Sequence, residues 1–383
     1  MKTSLLAGGL VAFAILTAAG CVTVPASNGN SRAAVAGGSM EAVVSRTFTA
    51  YGFELESGQK LPDMTLAFES YGTLAPDGRN AILITHGFTS SHHAAGKYTP
   101  TGAPGWWNGL IGPGKTIDTG RFFVVSSNML GSSYGSTAPR SVNPATGKPY
   151  GPDFPTITLR DMIRAQRVLL EGLGVRHLVA VAGPSFGGYQ AFQWAVQYPD
   201  FMHGVVPVVT APKGSGGDAA VKALADVFAK DPNWSGGWYY DRGGIPATMA
   251  TMRVATLKRY GQNEILAQRI PDQRKRDARI RAMADAWAKR FDANSMVALR
   301  KAAVRFDAER DLDNIRAKVL YVLSRTDKLF PPSIAPGVMD KLAKAGVDAK
   351  YVEIDSDFGH SASGAEWRKW APALKAFLAS LEK

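Results

Sequence analysis

Short apolar runs separated by helical or polar stretches set the rhythm of most of this chain. Ala81 to Thr85, Phe122 to Ser126, His177 to Ala182, Val205 to Thr210, Lys318 to Leu323 and Lys350 to Ile354 are brief and dominated by Val, Ile, Leu, Ala and aromatic residues. Runs of this kind mark strands buried on both faces of a parallel sheet, and helical segments fit between most of them. Upstream, Thr47 to Leu55 and Met64 to Tyr71 alternate partly between apolar and polar positions, which predicts an antiparallel pair at one sheet edge. Between Pro212 and Asp313 no such run occurs. Instead, Ile280, Met283, Ala284, Trp287 and Phe291 fall on one helical face within Arg279 to Phe291. The pattern predicts an α/β domain over residues 46–211 and 313–383, interrupted by a helical cap over 212–312.

The first residues follow a different rule. Met1-Lys2-Thr3-Ser4 leads into an uncharged run from Leu5 to Ala19, closed by Gly20 and Cys21. A positive start, an apolar stretch of this length and small residues at its end are the parts of a secretory signal over 1–20, and the run is shorter than the roughly 20 residues that span a bilayer. Two cleavage readings stand. Thr17-Ala18-Ala19-Gly20-Cys21 resembles a bacterial lipobox, in which the cysteine is lipidated and begins the mature chain, although Ala18 replaces the usual Leu. Ordinary cleavage would follow Val24-Pro25-Ala26. Either predicts export to the periplasm or cell envelope, with Cys21 the expected lipid anchor and residues 21–45 a flexible tether rich in Ala, Ser, Asn and Gly. Cys21 is the single cysteine, so no intramolecular disulfide can form.

Composition changes this picture little. A 383-residue chain that is 45% hydrophobic and 20% charged supports a large folded core. The net charge of +12 raises anionic partners, but Arg253 to Arg290 alone carries eleven basic and four acidic residues. That clustering predicts a solvated basic face on the cap, with an anionic membrane surface as the alternative. No nucleic-acid-binding motif accompanies it, so nucleic acid is not an expected partner.

Chemistry enters at Gly183-Pro184-Ser185-Phe186-Gly187-Gly188, which follows one apolar run and precedes a helical segment, Tyr189 to Gln197. This resembles the Gly-x-Ser-x-Gly nucleophile elbow of the α/β-hydrolase fold in its strand-to-helix setting. An elbow serine needs a base and an orienting acid, which that fold supplies in the chain order Ser, Asp or Glu, His. Beyond His203 the sequence has one histidine, His360, placed after the run Lys350 to Ile354. Asp327 follows the preceding run, so all three candidates fall at strand ends. Asp355 and Asp357 are rival acids, set too close to His360 in sequence to orient it from behind. The oxyanion donors are expected to be the backbone N–H groups of Phe186 and Phe88, the latter in His86-Gly87-Phe88 after an early strand. His86 reads as support for that loop, and His92-His93 reads as a loop pair because no third metal ligand is visible.

The chain also resembles the homoserine O-acetyltransferases of the α/β-hydrolase superfamily from about Leu61 to His360. The landmarks include Tyr71-Gly72-Thr73-Leu74, Gly105-Trp106-Trp107, Ile111-Gly112-Pro113-Gly114-Lys115, Gly147-Lys148-Pro149-Tyr150, Thr158-Leu159-Arg160-Asp161 and, in the cap, Arg290-Phe291-Asp292-Ala293-Asn294. The resemblance implies acyl transfer from a thioester to serine and then to a hydroxyl, with Arg253 and Tyr260 lining the substrate pocket. Arginine suits bidentate binding of a carboxylate. Three departures concern the acceptor. The family's Asp after the catalytic His, associated with the homoserine amino group, is Ser361 here; Pro184 and Phe186 replace Gly and Met; and Arg259 replaces Thr before the pocket tyrosine.

The leading expectation is therefore a serine hydrolase of a small ester, thioester or amide. An O-acyltransferase is the alternative, and a non-catalytic envelope binding protein is a third reading. None requires a metal or other cofactor. The expected partner is a small acyl substrate, and a homodimer is left open.

Overall fold

The computed structural model describes residues 40–381. The expected signal sequence, the lipidation at Cys21 and most of the expected tether lie outside the described residues. Within the tether's last residues, 40–45, the backbone pairs with the main chain of Lys97, and Val43 is buried.

Eight strands form the central sheet: β1 (Arg46–Glu54), β2 (Lys60–Tyr71), β3 (Ala81–Thr85), β4 (Phe123–Ser127), β5 (Leu178–Pro184), β6 (Met202–Val208), β7 (Lys318–Ser324) and β8 (Ala349–Ile354), in the spatial order β1-β2-β4-β3-β5-β6-β7-β8. β1 and β2 pair antiparallel, as do β2 and β4, and every later pairing is parallel. This is the α/β-hydrolase fold expected from the elbow.

Period-2 side-chain alternation divides the buried strands between two cores. Leu83, Val125, Val181, Val205, Val319, Tyr321 and Leu323 face one layer, with α1 (Leu159–Gly172), α2 (Phe186–Gln197) and later α8 (Ala335–Lys344) packed over it. Ile82, Ile84, Val124, Ala180, Val206, Leu320 and Val322 face the other, where Trp107, Trp370 and the last helix pack. Both faces are covered, so these strands read as continuous apolar runs rather than alternating ones.

The cap comprises α3 (Gly217–Ala229), α4 (Pro246–Arg259), α5 (Gln262–Ala267), α6 (Gln273–Ala288) and α7 (Ala293–Arg305). Its two connections to the sheet domain meet at a bridge between Lys213 and Asp307, closed by a 2.7 Å ion pair. Of the residues expected on the buried face, Ile280 and Ala284 of α6 are buried, Met283 and Trp287 are partly buried against the same core, and Phe291 packs beyond the helix end. The α7 N-terminus is capped by Asp292, which accepts from Ser295 N and, at 2.7 Å, from the Tyr239 hydroxyl.

Two strands depart by more than two residues from their expected spans: β2 begins at Lys60 rather than Met64, and β6 is displaced. β6 occupies Met202–Val208 rather than Val205 to Thr210, because Val209 turns out of the sheet at φ 43°. That turn is tied to the elbow: Val209 N donates to Val322 O, and the Thr210 hydroxyl donates to Ser185 O at 2.8 Å.

Candidate active site

Ser185 stands between the end of β5 and the first residue of α2 with φ 60° and ψ −120°, a conformation that a non-glycine residue adopts only under constraint. The constraint is visible around it. Ser185 N donates to Val208 O, its carbonyl accepts from Thr210, and the Thr85 hydroxyl donates to Gly187 O. The flanking glycines are required by close approach. A Cβ on Gly183 would lie 2.1 Å from Thr85 Oγ1, and one on Gly187 would lie 2.4 Å from the Thr85 carbonyl oxygen. The tight strand–turn–helix geometry therefore depends on β3 lying directly against the elbow.

The loop after β3 borders the serine. A Cβ on Gly87 would sit 3.7 Å from Ser185 Cβ, and the Phe88 and Phe186 rings are 5.9 Å apart. Neither the Phe88 nor the Phe186 N–H has an acceptor among the described residues. Two unused donors thus flank the nucleophile candidate, one of them at a helix N-terminus.

His86 is buried below this loop. Its Nδ1 lies 2.9 Å from Gly87 O and its Nε2 lies 3.1 Å from Met129 N, so the network assigns Nδ1–H as donor and Nε2 as acceptor in a neutral ring. Burial lowers its pKa to about 4, against an ordinary value of 6.5. The unfolded chain then binds a proton that the folded chain refuses between these values. Stability is full above about pH 6.5 and is lost as pH falls toward 4, by up to about 3 kcal/mol from this residue. Urea midpoints measured at pH 7 and pH 5 are expected to show the loss, and His86→Gln is expected to reduce it.

His360 and Asp327 lie together in the interior. His360 Nδ1 is 2.8 Å from Asp327 Oδ2, while Asp327 Oδ1 accepts from Leu329 N and Phe330 N. Both Asp327 oxygens are thereby engaged, and the imidazole Nε2 has no hydrogen-bond partner among the described residues. The rival acids are occupied elsewhere: Arg325 binds Asp355 at 2.6 Å and Asp357 at 2.9 Å on the exposed side. The histidine pair separates as well, His92 Nε2 meeting Ser45 Oγ and His93 Nδ1 meeting the buried Glu69 carboxylate, which also receives the Tyr71 hydroxyl.

Ser185 and His360 are not hydrogen-bonded to each other in this structure; they are joined through one cavity wall. Tyr260 and Phe330 line a cavity of about 610 Å³ that also contains Ser185, Phe88 and Phe186. The same two rings lie 4.7 and 5.9 Å from the His360 ring. Arg253 stands behind this wall. Its Nη1 donates to Thr89 Oγ1 at 2.6 Å, its guanidinium lies 5.0 Å from the Trp287 ring centre, and its buried Nε has no partner among the described residues. Burial lowers its pKa, with Tyr260 and Tyr134 opposing the shift.

Thr89, Tyr189, Met252, Met296, Arg300 and Phe330 also line the cavity and were not singled out from sequence. The apolar members carry ordinary core periodicity, and nothing local distinguishes Arg300 from the other bases of the cap.

A sequence model of the alpha/beta hydrolase fold matches residues 80–364. The homoserine O-acetyltransferase of Symbiobacterium thermophilum is 40% identical over 352 residues, covering 86% of this chain and 92% of that protein. Its counterpart in Moorella thermoacetica is 37% identical, covering 85% and 93%. Among solved structures, esterase E22 superposes with a TM-score of 0.80 at 32% identity, covering 88% of this chain and 100% of that one. The homoserine O-acetyltransferase of Bacillus anthracis gives the same TM-score of 0.80 at 30% identity, with 88% and 98% covered. With this fold, this strand order and relatives matched over most of their length, the chain belongs to the α/β-hydrolase superfamily, among the homologues of homoserine O-acetyltransferase.

Proposed function

We propose that this chain is a serine-dependent acyl-transfer enzyme that acts as a hydrolase of small esters, thioesters or amides. The observation that carries the reading is the buried His360–Asp327 pair beside an elbow serine flanked by two unpartnered backbone donors. In the proposed cycle, Ser185 Oγ attacks the acyl carbonyl while His360 Nε2 takes its proton. The Phe88 and Phe186 amides receive the charge that develops on the carbonyl oxygen. His360 then protonates the leaving group, and Asp327 stabilises the imidazolium throughout. The Ser185–His360 contact is expected to form when substrate orders the site, as unliganded catalytic contacts commonly tighten on binding. A purely binding role would leave the strain at Ser185 without use.

The composition of the cavity favours water as acceptor. No Asp or Glu is among its lining residues, and Ser361 follows the proposed base, so no carboxylate is supplied for an amino-acid ammonium group. The relatives named homoserine O-acetyltransferase favour the second reading, transfer to a hydroxyl with Arg253 holding a carboxylate and Tyr260 shaping the pocket.

Both readings share acylation of Ser185 and differ in deacylation. Purified protein is expected to release acetate from p-nitrophenyl acetate at a rate unaffected by millimolar L-homoserine. Acceleration by homoserine, with O-acetylhomoserine as product, would establish the transferase instead.

Export belongs to the same proposal. Acyl-coenzyme A is cytoplasmic, so an exported enzyme would lack that donor while keeping hydrolytic chemistry. The support is the apolar run Leu5 to Ala19 and Cys21. Mass spectrometry of the mature N-terminus is expected to find lipidated Cys21 or a chain starting at Ser27. A chain retaining Met1 contradicts export.

A further inference from the structure

The cavity beside Ser185 contains two arginines whose charges nothing in the described structure answers. Arg259 ends α4 and Arg300 lies within α7, and both line the same space as Ser185, Phe88 and Phe186. Neither guanidinium makes a hydrogen bond or ion pair with any described residue. Their neighbourhood is not short of such partners. Lys258, adjacent to Arg259, pairs with Asp277 at 2.7 Å, and Arg281 pairs with Asp285 at 2.9 Å. The remaining lining is largely apolar, with Leu224, Met252, Met296 and Phe330 among it.

Arg300 is half-buried in partly apolar surroundings and loses hydration there, while Arg259 is exposed; each gains from an anion that it can bind with parallel N–H donors. Two such groups facing a cavity without carboxylates make its potential positive at the place where substrate must sit. We infer that Arg259 and Arg300 select substrates carrying an anionic group, a carboxylate or phosphate, on the acyl half or the leaving half of the scissile bond. The inference rests on the reading of this cavity as the acyl-transfer site. It adds the charge class of the substrate and assigns its recognition to residues distinct from Arg253, which is already engaged with Thr89 and Trp287. Anchoring at the anion holds the carbonyl against Ser185, so the gain is expected in kcat/KM.

The full chain is assayed with two anionic esters and the neutral methyl ester of each. Mono-p-nitrophenyl glutarate places the charge on the acyl half, and 4-acetoxybenzoate places it on the leaving half. In at least one pair the anion is expected to exceed its methyl ester in kcat/KM by about tenfold or more, and the margin is expected to shrink with added salt. The pair that responds identifies the anion-bearing half. In the Arg259→Ala, Arg300→Ala protein the ratio is expected to fall to about one. Absence of a margin in both pairs, or a margin that survives the double substitution, overturns the inference.

Binding separates this inference from the reading beneath it. Calorimetry on Ser185→Ala protein compares the unreactive glutarate mono-anilide with its methyl ester, and 4-acetamidobenzoate with its methyl ester. Tighter binding of the anion that depends on the two arginines supports the anion site even if no ester is turned over, a result that would sink only the catalytic reading. Equal binding of acid and ester in both pairs overturns the anion site.

Discussion

Replacing Ser185 by Ala is expected to lower turnover of p-nitrophenyl acetate by on the order of 10⁶, as removal of the nucleophile does in other triads. The backbone explains why this loss should come without unfolding. The conformation at φ 60° is held by Ser185 N to Val208 O, by Thr210 to Ser185 O and by the approach of Thr85 to Gly183 and Gly187. None of these contacts uses the side-chain oxygen. The substitution removes one hydroxyl facing the cavity, so the thermal midpoint is expected to move by no more than about 1 kcal/mol of stability. Retention of more than one hundredth of the activity by a folded variant is incompatible with Ser185 as nucleophile.

The second large effect is expected at Asp327. Its Oδ1 accepts from the Leu329 and Phe330 amides and its Oδ2 faces His360 Nδ1. In Asp327→Asn the side-chain oxygen must keep facing the two amides, which can only donate. The new NH₂ group then faces His360 Nδ1 and forces that atom to accept. The ring proton moves to Nε2, the atom required to take the proton from Ser185, and the base is lost through the wrong tautomer. A fall in kcat on the order of 10⁴ is expected, by analogy with the same substitution in a related triad. The fold should tolerate an isosteric change, so thermal denaturation is expected to shift little. A fall below about tenfold would assign the acid role elsewhere, although Arg325 already holds both Asp355 and Asp357.

What could be read from sequence follows physical lines. The buried strands were legible because covering a parallel sheet on both faces leaves uninterrupted apolar runs, and β3 and β8 fall within one residue of their expected spans. β6 was displaced because the apolar run continues through Val209, whose left-handed turn has no marker in a β-branched residue. The elbow glycines were legible for the right reason, since Thr85 occupies the space their side chains would need. The order of Ser185, Asp327 and His360 singled out the pair that the fold brings within 2.8 Å.

Contacts between distant segments were not legible. Arg253 was expected in the pocket lining; its described partners are Thr89, itself part of the cavity wall, and Trp287, and a pairing 164 residues apart leaves no local pattern. Glu69 lies in β2 among residues that suggest no charge partner, yet it is fully buried against Tyr71 and His93. Arg259 was visible as a departure from the family, but its sharing with Arg300 of one cavity whose lining holds no carboxylate depends on how the fold arranges α4 and α7 around that space.

The central claim, that Ser185 is an activated nucleophile, is tested most directly by treating the protein with a fluorophosphonate probe and mapping the adduct by peptide mass spectrometry. The account predicts one adduct, on Ser185, absent from Ser185→Ala and strongly slowed in Asp327→Asn. An adduct on another residue, or labelling that persists after Ser185 is replaced, would contradict it.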